Sequence, residues 1–72
     1  MKWPNAEQLQ MLRNTYPEGS RVELIEMDDP QAPPIGTQGT VQFIDGIGSV
    51  HIAWDEGGNI AALYGKDRIE KV

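Results

Sequence analysis

Thr37-Gln-Gly-Thr-Val-Gln-Phe-Ile-Asp-Gly-Ile-Gly-Ser-Val-His-Ile-Ala-Trp-Asp-Glu-Gly-Gly-Asn-Ile-Ala-Ala-Leu63 decides how this chain folds. Thr37 to Ile44 reads as a strand, with Val41 and Phe43 on one face and Thr40 and Gln42 on the other. Asp45-Gly-Ile-Gly48 is a hairpin signal. Ser49 to Asp55 alternates most cleanly: Val50, Ile52 and Trp54 point one way, Ser49, His51 and Ala53 the other. That alternation predicts Trp54 in the core. Glu56-Gly-Gly-Asn59 is a second turn, and Ile60 to Leu63 is a short fourth strand.

Towards the N-terminus, Arg21 to Met27 forms another β run in which Val22 and Leu24 share a face. Asp28 to Gly36 then holds Pro30, Pro33 and Pro34. Proline cannot join a central ladder, so this is a loop, stiffened by extended proline conformations. Asp28 is expected to accept the backbone N–H bonds that hold it. Towards the C-terminus, Tyr64 to Asp67 has room for one tight turn, and Arg68 to Val72 is a closing strand with Ile69 inward. Five short strands, one long loop and two hairpins cannot bury both faces as a flat sheet, and closure into a small barrel is the usual solution. The connectivity predicts a mainly β fold, a five-stranded SH3-like barrel over residues 17–72. Residues 1–16 precede it as a short amphipathic helix, with Asn5 as cap, Gln8 completing the capping box, and Pro17 and Gly19 ending it.

Length and charge narrow the function. Seventy-two residues make one small domain with a thin core, and the absence of cysteine removes disulfides and thiolate metal sites. No stretch has the apolar length of a membrane span and no signal peptide opens the chain, so a cytoplasmic location is expected and no membrane association. Six cations face eleven acids, for a net charge of −5. Phosphate-backbone binding depends on cations, so nucleic acid is disfavoured as a partner.

Two strings resemble a known family: Arg21-Val-Glu-Leu-Ile-Glu-Met-Asp-Asp-Pro-Gln-Ala-Pro-Pro-Ile-Gly-Thr-Gln-Gly-Thr-Val41 and Val50-His-Ile-Ala-Trp-Asp-Glu-Gly-Gly58. Both are similar to family 4314 of the domains of unknown function, over about Tyr16 to Val72. The resemblance implies an SH3-type barrel from phages, prophages and bacterial mobile elements, hence a bacterial host cytoplasm. It brings no catalytic residues with it.

The residues themselves offer little catalytic chemistry. His51 is the single histidine. Ser49 lies on the same strand face, but no third residue is placed to orient the imidazole, so His51 reads as a half-exposed strand histidine. The pairs Asp28-Asp29 and Asp55-Glu56 do not spell a calcium loop, and Asp55 is a natural turn former before Gly57-Gly58. Gly36-x-x-Gly39 and Gly46-x-Gly48 lack the remainder of a phosphate motif. No enzyme, cofactor or metal is expected.

Binding fits better. The long loop and the hairpin after strand two are expected to flank a groove closed by the turn before strand five, giving Met27, Asp28, Asp29, Gln31, Pro33, Pro34 and Tyr64 as partner-binding residues. The first reading is a non-catalytic accessory module that recognises a protein, its acidic surface favouring a basic one. The alternative is a protein that sequesters a small nucleotide-type immune signal and so counters anti-phage defence. That alternative needs Arg21, Lys66 and Arg68 to converge on an anion. It also needs a pocket between subunits, because one small barrel is not expected to hold the roughly 300 Å³ that ligands require. Trp3, Leu9, Met11, Leu12 and Tyr16 form an apolar stripe that either covers the chain's own barrel or meets a second copy, and the homodimer is the favoured expectation.

Overall fold

The computed structural model describes residues 3–72. It contains α1 (Ala6–Thr15) followed by β1 (Arg21–Glu26), β2 (Gln38–Ile44), β3 (Ser49–Trp54), β4 (Ala62–Leu63) and β5 (Arg68–Lys71). All pairings are antiparallel, in the order β4-β3-β2-β1-β5. β5 therefore returns to the far side of β1, and β4 comes into contact with β5 to curl the sheet into a barrel. The fold is mainly β, as the connectivity predicts, with five antiparallel strands in one sheet and a short N-terminal helix. No helix among the described residues is long and apolar enough to cross a membrane.

Four strands supply the interior, Val22 and Leu24 from β1, Val41 and Ile44 from β2, Val50, Ile52 and Trp54 from β3 and Ala62 from β4, with Ile69 of β5 partly buried against them. Trp54 is a core residue, 4% exposed, and its indole N–H donates to the Ile60 carbonyl at 2.9 Å. Burying a ring of this size dominates so small a core, and the bond satisfies its one polar atom.

Two departures from the expected strands have a physical cause. The β2–β3 register shifts between Val41 and Phe43, where a bulge inserts one residue. The insertion inverts the phase, so Ile44 turns inward and Phe43, expected beside Val41, is 54% exposed. The fourth strand is also shorter than Ile60 to Leu63, because the Ile60 carbonyl is taken by the Trp54 indole and only Ala62 and Leu63 pair with β3.

α1 starts where the cap predicts. The Asn5 side chain accepts from the Gln8 N–H at 2.8 Å, and the Asn5 N–H donates to the Gln8 side chain at 3.0 Å. Leu9, Leu12 and Tyr16 pack against the barrel core of the same chain. Arg13 and the Tyr16 hydroxyl donate to the carbonyls of Ile44 and Ile69, each at 3.4 Å. The apolar stripe therefore divides: these three side chains turn to their own barrel, the single-chain arrangement, while Trp3 and Met11 remain about 60% exposed.

Candidate functional site

A concavity lies between the proline-bearing loop and the β3–β4 turn. The cleft holds about 410 Å³ and is lined by Gln31 and Pro33 on one side and by Glu56, Gly57, Gly58, Asn59 and Ile60 on the other, with Trp54 at its floor. Both walls are built by local hydrogen bonding. The Asp29 side chain accepts from the Gln31 N–H at 2.8 Å, its carbonyl accepts from Ala32 at 3.0 Å, and the Pro34 carbonyl accepts from Thr37 at 3.0 Å. Asp29, rather than the expected Asp28, holds the loop, because an Asx turn needs the acceptor two residues before the donor. The Gly36 N–H donates to the Leu24 carbonyl at 2.8 Å and ties the loop to β1.

The opposite wall is a turn whose Gly57 and Gly58 adopt φ of 100° and 84°, a region that other residues enter at a cost. The Gly57 N–H donates to the Trp54 carbonyl at 2.9 Å, and the Asp55 N–H to the Gln38 carbonyl at 2.9 Å. Arg21 braces the turn from outside. Its guanidinium forms a two-point pair with Asp55, 2.8 Å at one contact, and donates to Thr40 at 2.9 Å. That guanidinium holds the Asp55 carboxyl below the usual carboxylate range.

The cleft differs from the expected groove. Its second wall is the β3–β4 turn, not the hairpin after strand two. Of the expected binding residues, Gln31 and Pro33 line it; Pro34 supplies a turn carbonyl, Met27 packs half-buried on the core, and Asp28 and Asp29 are exposed on the loop. Tyr64 stands at the other end of β3, where its Cβ would be 2.9 Å from a Cβ placed on Gly48. It lines two smaller hollows instead, of about 90 and 180 Å³, beside α1.

The expected cation cluster does not assemble. Arg21 pairs with β2 at one end of β1, whereas Arg68 pairs with Glu26 at the other, five residues along an extended strand or about 16 Å. Lys66 lies in the turn before Arg68. The cleft's volume exceeds the roughly 300 Å³ that one small barrel was not expected to hold.

Glu56, Gly57, Gly58, Asn59 and Ile60 were legible only as turn residues. The hairpin register could have placed them: with Gly39 opposite Trp54, the segment after Trp54 must lie beside the loop that precedes Gly39. A second polar arrangement occupies the β2–β3 hairpin. Asp45 accepts from the N–H groups of Ile47 and Ser49 at 3.1 and 2.9 Å, and its other oxygen is 2.9 Å from His51 Nε2. Partial burial pushes the Asp45 carboxyl up, but the bonds from His51, Ser49 and Ile47 outweigh it and hold the group low. Asp45 thus orients the imidazole, contrary to the expectation that no residue does, and the half-buried His51 ring also stacks on Phe43 with centroids 4.1 Å apart.

The family model for a domain of unknown function, DUF4314, matches residues 5–72. The chain belongs to that family. The match takes in the α1 helix, the barrel and both walls of the cleft, so the DUF4314 domain is the whole unit described above. No curated protein and no solved structure gives a match to the chain.

Proposed function

We propose that this DUF4314 domain is a non-catalytic binding module that recognises a segment of a partner protein in the cleft between the proline-bearing loop and the β3–β4 turn. The cleft carries this reading. Its lining joins Pro33 and Trp54 to the amide residues Gln31 and Asn59 and the carboxylate residue Glu56, a mixture suited to an extended peptide. Both walls are fixed by hydrogen bonds before any partner arrives, which lowers the ordering cost of association. The role as an accessory protein of phages or mobile elements rests on the family resemblance. The nucleotide-sequestering alternative needs Arg21, Lys66 and Arg68 to converge, and it is disfavoured because Arg21 is committed to Asp55 and stands apart from Arg68.

Selection of peptides from a displayed random library against the folded domain tests the reading. Binders are expected whose affinity falls with Pro33→Ser, on the cleft wall, and is unchanged by Pro34→Ser, off it. Binders that respond to neither substitution, or no binders, would contradict it.

A further inference from the structure

The cleft's donor and acceptor balance is one-sided. Its lining includes one carboxylate, Glu56, and two amide side chains, Gln31 and Asn59, and no lysine or arginine. The ion pairs among the described residues are Arg21–Asp55 and His51–Asp45, and neither involves Glu56. Arg21 is consumed by Asp55 next door, which neutralises that acid and leaves Glu56 as the unpaired charge on the wall. The wider field has the same sign, since residues 17–72 hold ten acids and four bases. Complementary charge selects partners and speeds their approach.

We infer that the cleft captures a basic side chain of the partner peptide, arginine in preference to lysine, with Glu56 as its counter-ion. Arginine suits the surroundings for physical reasons. A planar, weakly hydrated guanidinium suits the Pro33 ring at little desolvation cost, and its several N–H donors match the carboxylate and the amide oxygens that line the cleft. An ammonium is compact and strongly hydrated, and it forgoes the flat contact. The inference rests on the cleft being a peptide-recognition surface and adds the chemistry of its occupant.

Sequencing the library binders, then measuring one synthetic binder by calorimetry, tests it. Cleft-directed binders are expected to share an arginine. Its replacement by citrulline, which keeps the shape and removes the charge, should weaken binding by about tenfold or more, the size of one charge-assisted hydrogen bond. Replacement by lysine should fall between. Glu56→Gln should give a loss comparable to citrulline at an unchanged melting temperature, because Glu56 is exposed, whereas Glu70→Gln, an equal charge change on β5, should leave affinity as it was. Cleft binders without a basic residue, or affinity indifferent to Glu56→Gln, would overturn the arginine assignment and leave the recognition surface standing. Absence of any cleft binder would overturn both.

Discussion

Individual residues in this domain carry unusual weight because the core is so small. Trp54 spans from the barrel interior to the floor of the cleft, with its indole N–H fixed on Ile60. Trp54→Ala is expected to cost about 3–5 kcal/mol, most of the stability of a domain this size, read as collapse of the thermal transition. A melting temperature within a few degrees of the parent would place the ring outside the core. Asp45 has a titratable consequence. Its folded-state pKa is lowered, so the stability it contributes is fully present above the ordinary carboxylate range and is lost as pH falls through the lowered value. Asp45→Asn retains an acceptor oxygen for the Ile47 and Ser49 N–H groups but no charge for His51. Its melting temperature should lie below the parent's above about pH 4 and converge with it in stronger acid. A gap independent of pH would show that the carboxylate's charge contributes nothing.

Elements join through a few close approaches, and one of them lies between the start of α1 and the β2–β3 hairpin. Gly48 has φ of 87°, and a Cβ there would stand 2.7 Å from Pro4 Cγ and 2.9 Å from Tyr64 Cβ. Gly46, two residues away, has nothing within 4 Å of such an atom. Gly48→Ala is therefore expected to lose about 1–3 kcal/mol from backbone strain and displacement of the helix, and Gly46→Ala to be close to neutral, by chemical denaturation. Equal effects would mean that α1 does not seat on the hairpin. At this scale much was legible from sequence. The Asn5–Gln8 cap, the inward Val50, Ile52 and Trp54 of β3 and the β2–β3 hairpin are local signals, and the structure follows them, although Ser49, expected on the outer face, is buried as well. The phase of Phe43 was not legible, because a bulge has no composition of its own and depends on how two strands fit. The second wall of the cleft was hidden for a similar reason: Glu56 to Ile60 become a wall only through the pairing of β2 with β3, a contact between distant residues. Arg21, Lys66 and Arg68 looked like one set because sequence alone does not say which end of β1 each will meet.

The whole molecule is an acidic barrel with two unlike ends. At one end α1 covers the core with Leu9, Leu12 and Tyr16 and leaves Met11 and Trp3 outside. At the other, the proline-bearing loop and the β3–β4 turn frame the cleft around Trp54 and Glu56. A self-association reading predicts partner contacts at the first end; the recognition reading places them at the second. Backbone amide and tryptophan indole shifts, followed by NMR while a selected peptide is titrated into the full chain, separate these two directly. The expected perturbations cluster at Gln31, the Trp54 indole N–H and Glu56 to Ile60, with Gln8, Met11 and Tyr64 unmoved. Perturbations centred on Gln8, Met11 and Tyr64, with the cleft residues silent, would contradict the assignment of the cleft as the recognition surface.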